Sequence, residues 1–301
     1  MATAQTVSRF KLTGICPPAR GAALAELLHT HPSPVWIVVT DTLRGAEALA
    51  EDVVLFHSAA EPKSPIEVFI FPEAMPDNRD MREAFAASSD RLTVLSKLRA
   101  RRSISHSQLS TLNSQLIVFT TPAALLQPVP TLEEFVRHEL TLTRGQRQPF
   151  QGLLEKLREL DYDCEAVCEA PGHYAVRGGI IDIYPVTAAQ PYRLDFFGDE
   201  LETVKAFDPV TQRSSEAIES ISIAASPRMK LDPAMAGLSD YLAPVTHCAF
   251  IEPSALEEIF SAVAGDDAPA LAPLLEKCAA VFGLSDIDEA SALFDHAETE
   301  Q

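Results

Sequence analysis

Apolar runs alternate with amphipathic segments over the first part of the chain. The continuous apolar, β-branched runs lie at residues 35–39, 68–71 and 116–119, and the segments with helical spacing lie at 42–54, 90–99 and 122–126. Uninterrupted apolar runs are typical of strands that are covered on both faces of a parallel sheet. Their alternation with helices predicts an α/β domain over residues 1–137.

The periodicity changes near residue 138. An alternating segment at 138–143 is followed by a turn and by an amphipathic helix that begins at Pro149 and carries leucines along one stripe. Segments with the character of antiparallel strands then follow from 164 to about 223. We expect a compact α+β domain over residues 138–226, with a mainly antiparallel sheet that is covered on one face.

The remaining residues, 227–301, contain a strand-like segment at 247–251 and a helical segment at 254–263. Ser254 is predicted to cap this helix, with Glu257 at the capping-box position. We expect the whole segment to pack on the first domain. Its acidic end completes no recognisable domain, so we interpret the sequence as part of a longer chain.

The chain is strongly acidic, with a formal net charge of −19 and an isoelectric point near 4.7. A nucleic-acid backbone attracts Lys and Arg and repels carboxylates, so the whole chain is a poor candidate for binding nucleic acid alone. One basic stretch, residues 97–102 (KLRARR), is interpreted as a helix end that leads into a solvated loop up to Gln115. Contact of this stretch with DNA is the alternative.

The sequence indicates a cytoplasmic protein. No apolar run approaches the roughly 20 residues that span a bilayer, and the N-terminus lacks the apolar stretch of a signal peptide. The five cysteines are an odd, scattered set, which indicates reduced thiols rather than a disulfide framework. Cys164 and Cys168 have no second Cys or His pair that would complete a zinc site, so no metal is predicted.

Residues 14–21 lie where a phosphate-binding loop of the form G-x-x-x-x-G-K-[ST] would open an α/β domain. Gly14 matches that form, but Ala19 replaces the second glycine, Arg20 the lysine and Gly21 the hydroxyl residue. Two prolines within the loop also lack the N–H groups that hold phosphate. We predict a non-functional loop and no cofactor, and no other catalytic motif is present.

The segment 192–197 (YRLDFF) alternates with a period of two. The side chains at 192, 194 and 196 are apolar or aromatic and are predicted to face the core. The opposite side then presents Arg193 and Phe197 to solvent or to another surface. A phenylalanine beside an arginine on an outward sheet face is the composition of an interface anchor.

Arg177 lies on a neighbouring segment, directly before Gly178 and Gly179. Two adjacent glycines in a strand pattern indicate a bulge or a close approach of the backbone. If Arg177 projects onto the same face, it forms one patch with Arg193 and Phe197. That patch would suit a partner surface rich in carboxylates.

Local pairing is the alternative interpretation of these side chains. Arg177 and Arg193 would then bind Asp182, Asp195 or Glu200, and the phenylalanine would be covered by the next domain. Surface ion pairs of this kind are common and usually weak. The residues alone leave both interpretations open.

Three motifs resemble those of a known family: YAVRGGIIDIYP at 174–185, PYRLDFFGDE at 191–200 and FDPVTQRS at 207–214. They are similar to the domain shared by bacterial transcription-repair coupling factors and the excision-repair helicase UvrB, and the QRS ending is closer to the coupling factors. The resemblance extends over residues 12–224. It implies a degenerate RecA-like (P-loop NTPase-like) first domain and a second domain that binds UvrA.

The residues of the family's UvrA contact match Arg177, Arg193 and Phe197 of this sequence. The resemblance thus implies a non-catalytic module that recruits UvrA by mimicking UvrB. It also implies C-terminal motor domains that contact this module and displace stalled RNA polymerase by ATP-driven translocation on DNA. The alternative is a UvrB-type ATP-dependent helicase, which is opposed by the altered residues 14–21 and by the absence of tyrosine from residues 75–89.

Overall fold

The computed structural model describes residues 7–75, 81–102, 114–229, 235–264, 271–294 and 298–299. The chain divides into two compact units. Unit 1 comprises Met1–Pro76, Val94–Val129 and Ala236–Gln301, and unit 2 comprises Asp77–Thr93 and Pro130–Met235. The first unit is therefore built from three separate stretches of sequence.

The strands are β1 Ser8–Leu12, β2 Val35–Val39, β3 Ile66–Phe71, β4 Gln115–Thr120, β5 Val129–Pro130, β6 Glu139–Thr143, β7 Asp163–Cys164, β8 His173–Arg177, β9 Ile180–Ile183, β10 Tyr192–Phe197, β11 Glu200–Phe207, β12 Ser214–Ala217, β13 Ser220–Ala224, β14 Met235–Ala236, β15 Thr246–Ile251, β16 Cys278–Leu284 and β17 Glu298–Thr299. The helices are α1 Arg20–Thr30, α2 Leu43–Ala60, α3 Met81–Arg101, α4 Pro122–Leu126, α5 Leu132–Arg137, α6 Phe150–Glu159, α7 Pro253–Ala264 and α8 Ala272–Leu275, with 3₁₀ turns at Pro17–Ala19 and Leu238–Tyr241.

Unit 1 contains a parallel sheet with the strand order β17, β1, β16, β15, β2, β4, β3. Strand β2 is buried along its whole length, and β4 is buried from Leu116 onwards. Burial on both faces explains why these strands are continuously apolar. The strands predicted at 35–39, 68–71 and 116–119 are confirmed, and the unit is α/β.

Helices α1 and α2 share one apolar core with β2, β4, β15 and β16. Helix α2 begins after Thr42, whose hydroxyl accepts a hydrogen bond from the Gly45 amide at 3.2 Å. That bond satisfies one of the free N–H groups of the first turn. The helices predicted at 42–54, 90–99 and 122–126 are confirmed, and α2 and α3 extend further than the spacing indicated.

The C-terminal part of the chain supplies interior strands of the same sheet. Strands β15 and β16 lie between β1 and β2, with His247 opposite Trp36. The rings of these two residues meet edge to face, with 5.0 Å between their centroids. Residues of the predicted 227–301 segment thus form the centre of unit 1.

The predicted cap of the C-terminal helix is wrong. Helix α7 begins at Pro253, and the Ser254 hydroxyl inside it donates to the carbonyl of Ala290 at 3.2 Å. Glu257 accepts a hydrogen bond from Ser291 Oγ at 2.6 Å. Proline suits the first helical position, so the helix begins earlier and both side chains hold a later segment instead.

The basic stretch at 97–102 ends helix α3, as interpreted. Lys97 Nζ lies 2.7 Å from Glu67 Oε2, and Arg101 pairs with the other oxygen of that carboxylate. Arg101 also donates to Ser114 Oγ at 3.0 Å. These contacts leave less free positive charge for DNA. The loop predicted after the stretch falls mainly on residues 103–113, which lie outside the described residues.

Unit 2 is built around a mainly antiparallel sheet in the order β12, β11, β10, β9, β8, β7, with β7 and β8 as its parallel pair. Helix α6 begins after Pro149, close to the predicted position, and buries leucines 153, 154 and 157. Phe150 at its start meets Phe196 of β10 edge to face, with ring centroids 5.3 Å apart. The opposite face of β10, which carries the exposed side chain of Phe197, is called the outward face.

Candidate functional site

Strand β10 carries two of the predicted site residues on its outward face. Leu194 and Phe196 are buried in the core of unit 2. Because side chains alternate along a strand, Arg193 and Phe197 point to the opposite face. The orientation predicted for this strand is confirmed.

Arg177 reaches the same face from strand β8. It lies opposite Ile180 of β9, and Ile180 lies opposite Asp195 of β10. Residues opposite each other in neighbouring strands share a face of the sheet. Arg177 therefore lies on the face of Arg193 and Phe197, two strand spacings (about 10 Å) from Asp195.

Gly178 and Gly179 form the two-residue turn between β8 and β9. Gly178 has a φ of +62°, which favours glycine. A Cβ on Gly179 would lie 2.9 Å from the carbonyl oxygen of Phe196, whose amide donates to the Gly179 carbonyl at 2.9 Å. The predicted close approach of the backbone is confirmed, whereas a bulge at this point is wrong because the glycines form a turn.

Phe197 ends strand β10 and is 76% exposed. The next residue, Gly198, has a φ of +61° at the first central position of the hairpin turn, as a type II′ turn requires. Glu200 then pairs with Phe197 across the turn. An aromatic ring held on a tight hairpin loses little conformational freedom when a partner covers it.

Arg193 is held on the outward face by several contacts. Its Nε and Nη2 donate to the two carboxylate oxygens of Asp182 at 2.7 and 2.8 Å. The guanidinium also donates to the side-chain and main-chain oxygens of Gln212, at 3.3 and 3.4 Å, and lies 4.7 Å from the centre of the Phe207 ring. Hydrogen bonding to Asp182 raises the pKa of Arg193 above its usual value.

These contacts distinguish Arg193 from the other two predicted site residues. Arg193 is paired locally with Asp182, as the alternative interpretation expected. Arg177 is exposed, and its Nη2 donates to the carbonyl of Ala166 at 3.4 Å. Phe197 and Arg177 are therefore available to a partner, whereas Arg193 is committed to the sheet face itself.

Two residues at this face were not predicted from the sequence. Gln212 has a φ of +59° in the turn after β11, and this backbone conformation accompanies its contact with Arg193. Arg147 forms an isolated antiparallel bridge with Glu200. The turn before Arg147 was visible in the sequence, but no local signal indicates which strand the arginine joins.

The segment 14–21, which was predicted to be a non-functional phosphate loop, follows β1 and runs into the start of α1. Gly14 has a φ of +77°, and its amide donates to the carbonyl of Asp286 at 3.1 Å. The amide of Ile15 donates to Ser285 at 3.0 Å. The 3₁₀ turn Pro17–Ala19 follows directly. Two amides that could face a ligand are therefore bonded to another segment of unit 1.

The other residues of this loop serve packing. Ala19 ends the 3₁₀ turn, and Arg20 forms an ion pair with Glu252. A Cβ on Gly21 would lie 2.5 Å from the Cβ of Asp52, so glycine permits the close contact of α1 with α2. Arg20 and Gly21 thus both have structural roles within unit 1.

Three further observations concern other kinds of site. Over the described ranges of the chain, no group of three or more His, Cys, Asp and Glu side chains could hold a metal ion. The five cysteines are free thiols. None of the helices that the structure describes is long and apolar enough to cross a membrane.

Comparison with known proteins gives a consistent result. Residues 140–228 match the family described as UvrB interaction domain. A transcription-repair-coupling factor of Mycobacterium bovis is 34% identical over 212 residues, which are 69% of this chain and 16% of that protein. Factors of the same name from Staphylococcus haemolyticus and Bacillus subtilis are 28% identical over 213 residues and 27% identical over 223 residues, covering 70% and 74% of this chain. The matched part spans only 16% to 17% of the length of these relatives.

Proposed function

Because the chain is a UvrB-homology module of the transcription-repair-coupling-factor type, we propose that it is a non-catalytic docking module that recruits UvrA by mimicking UvrB. The outward face of β8 and β10 is the binding surface. We propose that, in a longer chain, this recruitment couples repair to the removal of stalled RNA polymerase by C-terminal motor domains that move on DNA.

The observation that carries this proposal is the exposure of Phe197. An aromatic side chain that is 76% exposed on a tight hairpin buries its apolar surface only when a partner covers it. Aromatic residues and arginine are enriched among the residues that dominate binding energy. Arg177, exposed on the same face, adds a guanidinium that can form a bidentate pair with a partner carboxylate.

We further propose that unit 1 is a degenerate RecA-like domain whose phosphate loop has no function. The amides of Gly14 and Ile15 are bonded to other backbone groups, and Arg20 is paired with Glu252. A working loop needs free amides and a free lysine to hold phosphate. The module then acts through binding alone.

The direct test is a calorimetric titration of this chain with purified UvrA, with wild type beside Phe197→Ala. Removal of a central aromatic contact costs about 2 kcal/mol or more, so we expect the affinity to fall by about 30-fold. Leu55→Ala is the matched control, because Leu55 is 66% exposed on helix α2 of unit 1. If wild type binds UvrA and Phe197→Ala binds it equally well, the proposed binding surface is wrong. If wild type does not bind UvrA, the proposed function is wrong.

A further inference from the structure

Arg147, Glu200 and Phe197 form one row across strands β10 and β11 and the segment that precedes helix α6. Arg147 bridges Glu200 in antiparallel pairing, and Glu200 pairs with Phe197. Residues paired in this way lie on the same face, about 5 Å apart from strand to strand. Arg147 is therefore placed on the outward face, two strand spacings from the exposed aromatic ring.

The segment that carries Arg147 is fixed by main-chain hydrogen bonds. The amide of Gly145 donates to Leu201 at 2.7 Å, and the amide of Leu201 donates to Gln146 at 3.0 Å. The amide of Gln148 donates to Asp199 at 2.7 Å. The arginine thus stands on a rigid extension of the sheet, which reduces the entropy that a partner must remove on binding.

The guanidinium of Arg147 can pair with a partner protein, whereas that of Arg193 is already paired with Asp182. Both Arg147 and Glu200 are exposed, and neither takes part in an ion pair within the part of the chain that the structure describes. Together with Gly145, Phe197 and Asp199, they line an open depression of about 420 Å³. A guanidinium beside an exposed phenyl ring fits a partner segment that places a carboxylate next to an apolar group.

We propose that Arg147 is a further UvrA-binding residue, and that it pairs with a carboxylate of UvrA beside the apolar contact of Phe197. This inference rests on the proposed function. Glu200, between the two, faces the same carboxylate and weakens its binding by like-charge repulsion. Arg147, Glu200 and Phe197 together therefore determine where the UvrA carboxylate binds and how tightly it is held.

The test uses purified UvrA and variants of Arg147 and Glu200 in the same calorimetric titration. Arg147→Gln is expected to weaken binding about tenfold, because a charge-assisted hydrogen bond is lost. Arg147→Lys should fall between wild type and that variant, since lysine keeps the charge but not the planar fork. Glu200→Gln is expected to strengthen binding by about threefold, because repulsion is removed.

Arg44→Gln provides the matched control, because Arg44 is exposed on helix α2 of unit 1 and its loss changes the net charge equally. Unchanged melting temperatures establish that each variant is folded. If Phe197→Ala loses binding while Arg147→Gln binds as wild type does, this inference is overturned and the proposed function stands. Weaker binding by Glu200→Gln would also overturn this inference. The Glu200 carboxylate would then accept a hydrogen bond from UvrA instead of repelling a UvrA carboxylate. Failure of the wild-type chain to bind would count against the proposed function instead.

Discussion

The guanidinium of Arg193 forms a bidentate ion pair with the carboxylate of Asp182, its neighbour across strands β9 and β10. Asp182 is 2% exposed, so its charge needs a partner inside the protein. The same arginine holds Gln212 in the turn after β11. Its removal therefore changes the shape of the outward face as well as its charge.

Loss of the arginine alone is expected to destabilise unit 2. Arg193→Ala leaves a buried carboxylate without its cation, and breaking such a pair typically costs about 3–5 kcal/mol of unfolding free energy. Urea denaturation of wild type and variant measures this change. A difference below about 1 kcal/mol would mean that Asp182 finds another partner and would contradict the prediction.

The double variant Asp182→Leu, Arg193→Met is the control. Replacement of both members of a buried pair by apolar groups is often neutral or stabilising, so this variant should be more stable than Arg193→Ala. Its affinity for UvrA then separates two roles of the arginine. Retained binding assigns Arg193 to positioning, and lost binding in a stable protein assigns it to direct contact.

Local periodicity predicted which face carries Arg193 and Phe197 but left open whether Arg193 pairs locally, and with which carboxylate. The alternation in 192–197 orients Phe197 correctly because a period of two is a property of a single strand. The Asp182–Arg193 pair depends on the register between two strands, and neither segment alone determines it. The sequence could therefore leave local pairing open but could not decide it.

Pairing between distant segments limited the other predictions in the same way. Strands β15 and β16 enter the sheet between β1 and β2, and Arg147 joins the edge of β11, through main-chain bonds that have no local sequence signal. The buried strands were predictable because any strand covered on both faces needs continuous apolar residues. Ser254 failed as a cap because the preceding proline could itself begin the helix.

The close approach of Gly179 to Phe196 predicts a strong effect of a small substitution. A Cβ would lie 2.9 Å from the Phe196 carbonyl, so the backbone of one of the two strands must shift. We expect Gly179→Ala to lower the unfolding free energy by about 1–3 kcal/mol in urea denaturation. Gly152→Ala in helix α6 is the control, because the nearest atom lies at 3.6 Å and alanine favours the helix. Equal stability of the two variants would refute the steric argument.

The exposed and the buried cysteines are expected to react with a thiol reagent at different rates. Cys16 and Cys164 are exposed, whereas Cys168, Cys248 and Cys278 are buried. Burial raises the pKa of Cys168 to about 12 and that of Cys248 well above its usual value. Because only the thiolate reacts, Cys168 and Cys248 are expected to react slowly in the folded protein. Ellman's reagent should therefore titrate two thiols in the folded protein and all five in denaturant, and fast reaction of a third would contradict this burial.

The segment between β1 and α1 is expected not to bind nucleotide. The amides of Gly14 and Ile15 are bonded to backbone carbonyls, and Arg20 is paired with Glu252. A ligand present at about 100 times its Kd would stabilise the protein by about 2.7 kcal/mol, which raises the melting temperature measurably. We expect millimolar Mg·ATP to leave the melting temperature in scanning calorimetry unchanged. Mg·AMP is the control, because it lacks the β- and γ-phosphates that a phosphate loop holds. A rise with ATP and none with AMP would contradict the prediction and favour a UvrB-type helicase.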